Sequence, residues 1–170
     1  MKITNNEILK RVKIIELDCF EDHRGEYIET YNEKIYKENG IDTNFIQDDI
    51  SISKKNVLRG IHGDPNTAKL VSCLYGEFLL VVVDCDTESS TYLKWFSITL
   101  SRKNRIQVFI PKNYGNGHLV LSDEAIFHYK QNTMYQPSNQ FTFKWNDERL
   151  NIKWPITNPI LSKRDTDGHF

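Results

Sequence analysis

The chain has no close pair of cysteines, no long apolar run and almost no net charge. Its three cysteines, Cys19, Cys73 and Cys85, are odd in number and widely spaced, which argues against a disulfide framework or a zinc pair. Cys73 and Cys85 lie in apolar, strand-like runs and read as reduced core thiols. No stretch approaches the ~20 apolar residues of a membrane-spanning helix. Residues 1–10 are polar and lack an apolar core, so no signal peptide is expected and the cytoplasm is the expected compartment. A net charge of -1 supplies no field for nucleic acid or anionic membrane, so any basic site must be local. No His-x-His pair is followed by the glutamate of a mononuclear metal site, and no catalytic metal is predicted.

There is no linker, repeat or low-complexity segment either, and 170 residues suffice to bury a core, so residues 1–170 are read as one domain. Short strand-like segments separated by turn signals fill it: 45–52, 69–74, 77–84, 93–100, 105–110, 118–121, 125–130 and 140–145. The continuous apolar run of residues 78–83 predicts a strand buried on both faces. Only residues 32–39, ending before Gly40, read as a helix. Many strands and little helix predict a mainly all-β barrel or jelly roll with few short helices. The tail from Trp154 is irregular, but Trp154, Ile156, Ile160 and Leu161 favour its packing back on the barrel.

Against this background Arg59-Gly60-Ile61-His62, Lys69 and Tyr129 are the candidate chemistry. A histidine is the usual base for removing a proton beside a carbonyl, and a carboxylate on its second ring nitrogen would stabilise the imidazolium. Lys69 could hold a developing enolate oxygen or simply snorkel from an edge strand; Asp84 could pair with it or be a turn residue. Period-two alternation puts Phe127 and Tyr129 on one face of their strand, where Tyr129 is either a core residue or a proton donor. Arg24 and Arg59 each precede a glycine, an arrangement suited to diphosphate or to an ordinary surface. His118 follows the turn-like Gly115-Asn116-Gly117; it, His23 and His169 are weaker candidates.

Several motifs in order, among them Asp22-His23-Arg24-Gly25, Phe45-Ile46-Gln47-Asp48, Val57-Leu58-Arg59-Gly60-Ile61-His62, Lys69-Leu70-Val71, Tyr129-Lys130 and Leu161-Ser162-Lys163-Arg164-Asp165, resemble the dTDP-4-dehydrorhamnose 3,5-epimerase family. The resemblance runs from about Asp18 to Asp165. It implies a cupin-type jelly-roll barrel that forms a homodimer and epimerises nucleoside-diphosphate 4-keto sugars without a cofactor. It implies that His62 is the base, Asp165 its dyad partner, Lys69 the holder of the enolate and Tyr129 the donor on the opposite face. Arg59 matches a position near the phosphates. Arg24, Glu29 and Gln47 match nucleotide-binding positions, with Arg24 reaching the partner's site.

Two segments depart from that pattern. Gly63-Asp64-Pro65 follows His62 where the family has an aromatic residue and a glutamine. Gly115-Asn116-Gly117-His118 stands where it has Ala-His-Gly-Phe, so Asn116 replaces a histidine and His118 an aromatic at substrate-side positions. These departures resemble a subgroup acting on GDP-linked 4-keto heptoses in capsule pathways. The expected activity is therefore inversion at carbon 3, carbon 5 or both; a ketoisomerase and a non-catalytic nucleotide-sugar-binding barrel are the alternatives.

Overall fold

The computed structural model describes residues 1–168, so His169 lies outside the described residues. In chain order the first strands are β1 (Lys2–Asn5), β2 (Lys13–Glu16), β3 (Phe20–Asp22), β4 (Gly25–Tyr27), β5 (Gln47–Lys54), β6 (Leu58–Gly63) and β7 (Lys69–Tyr75). They continue as β8 (Glu77–Asp84), β9 (Trp95–Ser101), β10 (Ile106–Ile110), β11 (Tyr114–Val120), β12 (Glu124–Gln131) and β13 (Phe141–Thr142). The helices are α1 (Glu33–Glu38) and α2 (Lys163–Asp167), both short, and no described helix is long and apolar enough to cross a membrane.

The expected mainly-β, two-sheet barrel is what these strands build. One sheet has the order β1-β2-β10-β7-β12-β5, the other β13-β6-β11-β8-β9, and β3 with β4 forms a separate hairpin. Val71, Val108 and Phe127 of the first sheet pack against Phe78, Leu80, Val82 and Val120 of the second in the central core. The alternate residues Val81 and Val83 of β8 bury outward with Ile61 and Leu119, beneath Phe143, Leu150 and Trp154. The apolar run of residues 78–83 is thus buried on both faces, as its composition requires. The tail packs back through Trp154, Ile156 and Leu161, which join that outer cluster, whereas Ile160 stays exposed and meets Val57 through its backbone. On the far side Ile15, Leu70 and Phe109 are covered by Tyr36 of α1 and by Ile41. Asn32 caps α1, its side chain accepting from Ile35 N, and Gly40 beyond the C-terminus has φ +78°.

Three local expectations change. The segment Gly115-Asn116-Gly117, which reads as a turn, is the buried middle of β11. Its glycines answer to packing: a Cβ on Gly117 would stand 2.8 Å from Ile61 Cδ1, and one on Gly115 2.7 Å from Ile61 Cγ2. The segment 140–145 shrinks to the two-residue β13, and the 163–167 stretch of the irregular tail is helical. The strand β6 has no alternating apolar signal, because a bulge interrupts it. Asn116 lies opposite His62 and His118 opposite Arg59, so three steps on β6 match two on β11. On a regular strand Arg59 and His62 would face opposite sides; the extra residue turns both inward.

Gly60 makes that bulge possible. Its φ is +112°, and an added Cβ would stand 2.5 Å from Gly117 Cα, which is backbone and has no side chain to swing away. Gly60→Ala is expected to destabilise the protein by about 2 kcal/mol or more, from left-handed strain and overpacking together. Urea denaturation would measure it, and an unchanged midpoint would refute this account of the bulge.

Candidate active site

A cleft of about 360 Å³ opens between the inner faces of the two sheets. The six-stranded sheet supplies Ser51, Lys69, Phe127, Tyr129 and Gln131, and the other supplies Arg59, His62, Asn116 and His118. Ser162, Arg164 and Asp165 line it from α2 and its N-cap. His62 and Tyr129 therefore stand on opposing sheets, and Lys69, from the strand beside that of Tyr129, lines the same cavity.

His62 Nε2 lies 2.7 Å from Asp165 Oδ1, at ion-pair distance although oblique to the direction of an ideal N–H bond. Asp165 is held in place by three further contacts. Gly60 N donates to Oδ1 at 3.0 Å, Ser162 Oγ donates to Oδ2 at 2.6 Å, and Asp165 N donates to Ser162 Oγ at 3.2 Å. Burial pushes this carboxyl up, but His62, the Ser162 hydroxyl and the Gly60 amide outweigh it and hold the group down at about 2. It is a carboxylate at any working pH. Because Asp165 faces Nε2, Nδ1 is the ring nitrogen turned away from this carboxylate. Arg164 docks α2 on β13 by donating from Nε to Thr142 Oγ1 at 2.8 Å.

Lys69 Nζ donates to Asn116 Oδ1 at 3.1 Å and stands 5.4 Å from the centre of the Tyr129 ring. Burial lowers its pKa to about 8, with the Arg164 charge also opposing protonation and Asp64 favouring it. Asp84 does not pair with it: at the end of β8 its Oδ2 accepts from Ser89 Oγ at 2.6 Å and Thr91 Oγ1 at 2.5 Å, bracing the turn that follows. Burial first, then the Asp49 carboxylate across the β12–β5 pair, raise the Tyr129 phenol to about 12, so it stays protonated. Phe127 and Tyr129 share the inner face, as the alternation requires. His118 is buried and stacked on Phe127, with centroids 4.2 Å apart and planes at 9°. Burial above all, reinforced by Arg59 and His62, lowers its pKa to about 3, so it is a neutral ring and a poor base.

Arg59 lines the cleft and donates from Nε to Ser53 Oγ at 3.1 Å. Three other expected positions stand outside the cleft lining. Arg24 is on the exposed β3–β4 hairpin, paired with Asp22 at 2.6 Å. Glu29 accepts from Asn32 Nδ2 at 3.2 Å. Gln47 lies behind the lining: its Oε1 accepts from Tyr135 N at 2.8 Å and its Nε2 donates to Asp49 at 2.7 Å, so it braces two neighbours of Tyr129. Reading the sequence missed Arg164, Ser162, Gln131 and Tyr135 as lining residues. Ser162-x-x-Asp165 is a capping pattern that could have revealed α2.

The family model for dTDP-4-dehydrorhamnose 3,5-epimerase matches residues 6–170. The chain belongs to this family. It is an enzyme of the isomerase class. The dTDP-4-dehydrorhamnose 3,5-epimerase of Shigella flexneri is 41% identical over 172 residues, covering 99% of this chain and 94% of that one. A solved dTDP-6-deoxy-D-glucose-3,5-epimerase from Legionella pneumophila, in complex with dTDP-4-keto-L-rhamnose, superposes with a TM-score of 0.93 at 38% identity, over 98% of this chain and 90% of that chain. The dTDP-4-dehydrorhamnose 3,5-epimerase of Bacillus anthracis, with TDP and PPi bound, gives 0.95 at 32% identity, over 99% and 98%. The cupin-type barrel is thus this family's fold. These relatives are named for dTDP sugars, and none of them lends support to the GDP-heptose subgroup that the two departing segments suggested.

Proposed function

We propose that this enzyme inverts carbon 3, carbon 5 or both of a nucleoside-diphosphate 4-keto sugar. The observation that carries the reading is the opposition of His62 and Tyr129 across one cleft, with the Lys69 ammonium in the same cleft 5.4 Å from the centre of the Tyr129 ring. A 4-keto group acidifies the C–H bonds on either side of it. His62 takes one of those protons on Nδ1, and Asp165 stabilises the imidazolium. The electron pair of the broken C–H bond moves to the carbon-4 oxygen, where Lys69 holds the enolate. Tyr129, or a water beside it, returns a proton to the opposite face and the carbonyl reforms. Arg59, Arg24, Glu29 and Gln47 are assigned to the nucleotide diphosphate, and Asn116 and His118 to the sugar side. Arg24 is exposed beside Phe20 and Tyr27 on the hairpin, which supports its serving the site of a second copy in a homodimer. A cytoplasmic enzyme fits the free thiols of Cys73 and Cys85.

The names of the relatives make a dTDP-linked 4-keto hexose the first substrate to test. A second reading, a GDP-linked 4-keto heptose, rests on one observation: the departures at Asn116 and His118 both line the cleft. Proton NMR of dTDP- and GDP-linked 4-keto sugars in deuterium oxide tests both. Deuterium at carbon 3, carbon 5 or both, in one series, is the expected result and identifies nucleotide and regiochemistry. A product with its carbonyl moved would indicate a ketoisomerase. Binding without any exchange would leave a regulatory barrel.

The Lys69 charge predicts the alkaline side of the pH profile. Its pKa is lowered to about 8, so the ammonium is lost as pH rises through that value. The expected kcat/KM falls about tenfold per pH unit above it. A profile flat to pH 10 would remove Lys69 from the mechanism.

A further inference from the structure

Asn116 does something specific for Lys69. The ammonium donates to its Oδ1 at 3.1 Å, and because an ammonium only donates, that atom must be the amide oxygen. Asn116 is itself buried, and it sits directly opposite His62 on the β6–β11 pair. One rung of the sheet therefore carries both the histidine and the side chain that reaches across the cleft to the lysine of the opposing sheet. The groups that bear on the ammonium come from every side. Tyr129 of β12 presents its ring, Asp64 after β6 favours the charge, and Arg164 of α2 opposes it. Asp64 is already engaged, its Oδ1 accepting from Asn66 N at 2.7 Å and its Oδ2 from Gln140 Nε2 at 3.3 Å. The acceptor in hydrogen-bond contact with Lys69 is therefore a neutral amide. A carboxylate at that place would hold the lysine as firmly but would neutralise the charge the enolate needs.

We propose that Asn116 is a positioning residue that fixes the Lys69 ammonium across from His62 through an uncharged acceptor, leaving its full positive charge for the enolate oxygen. The assignment of the enolate rests on the proposed epimerase function; the control of Lys69 by Asn116 does not. The test therefore has two readouts. Protein carrying 13C-labelled lysine is titrated by NMR, with the Lys69 signal assigned by its disappearance in Lys69→Met, and deuterium exchange into substrate is followed in parallel.

In Asn116→Asp the Lys69 midpoint is expected to rise by at least about one pH unit, because an opposite charge at hydrogen-bond distance favours the ammonium. The exchange rate should fall at least about tenfold, with its alkaline limb displaced in the same direction. In Asn116→Leu, which removes the acceptor, the midpoint should fall below that of the parent. Asn116→Gln, keeping an amide, should restore a midpoint between those of the Leu and Asp variants. A Lys69 midpoint unmoved in both Asp and Leu variants overturns the proposal, even if activity is lost, since a merely structural or substrate-contacting Asn116 would not set that titration. Shifted midpoints with no exchange by the parent enzyme on any 4-keto sugar would reject the epimerase reading while leaving Asn116 in control of Lys69.

Discussion

His62→Asn is expected to lower deuterium exchange into a 4-keto nucleotide sugar by about a thousandfold, with the chain still folded. Asparagine has no basic nitrogen, so the proton-accepting step is lost outright. Its amide can still donate toward Asp165, and that carboxylate keeps its bonds from Gly60 N and Ser162 Oγ. Asp165 therefore is not left buried and unpaired, the condition that makes removal of a charged partner destructive. Thermal unfolding followed by circular dichroism should remain cooperative and near that of the parent. His118 shares the cleft but cannot substitute: its ring, held at about 3 by burial, is too weak a base at neutral pH. Exchange at the parental rate in the variant would sink the role of His62. Loss of exchange together with loss of the cooperative transition would mean that the histidine is structural.

Lys69→Met should separate catalysis from stability in opposite directions. Removing a preorganised donor to an oxyanion is worth about 10²–10³ in kcat, and exchange should fall by that much. The lysine bears the cost of its burial in the folded protein: its pKa there is about 8 against an ordinary 10.5. Between those two values the unfolded chain binds the proton that the folded one has lost. Folding stability contributed by this group is therefore lowest below pH 8 and recovers as pH rises to 10.5. Methionine has nearly the same reach and no charge, so at pH 7 the variant should be more stable, by up to about 3 kcal/mol. That advantage should vanish above pH 10.5. Urea denaturation of both proteins at pH 7 and at high pH measures it. A variant destabilised at pH 7 would mean that the Asn116 bond outweighs the burial cost. A variant with near-normal exchange would mean that the enolate is held by something else.

The two expectations share one cause. The cleft is where this barrel departs from the rule of an apolar interior: the space between the sheets is filled by Val71, Phe78 and Phe127 in the core, but by Lys69, His62 and Asn116 in the cleft. Stability is given up there in exchange for charge held at low dielectric, which strengthens its action on a developing anion.

Local pattern by itself determined the β-rich class, the double burial of residues 78–83, the short helix ending before Gly40 and the shared face of Phe127 and Tyr129. Each follows from periodicity or from one residue's backbone preference, and both act over a few neighbours. The motif resemblance likewise picked out His62, Lys69, Tyr129 and Asp165, which the structure brings to one cleft. Only the tertiary structure decided how they meet. The Gly60 bulge, invisible to alternation, turns Arg59 and His62 to one side because β6 must match β11 across the close approach at Gly117. The strand through Gly115-Asn116-Gly117 reads as a turn until Ile61 is packed against it, since a glycine chosen for contact looks the same in sequence as one chosen for φ. Asp165 reaches His62 from a helix 103 residues downstream, held by Ser162, Thr142 and the Gly60 amide. The pairing of Lys69 with Asn116 rather than Asp84 depends on which strands face each other, and long-range sheet packing, not any local signal, sets that.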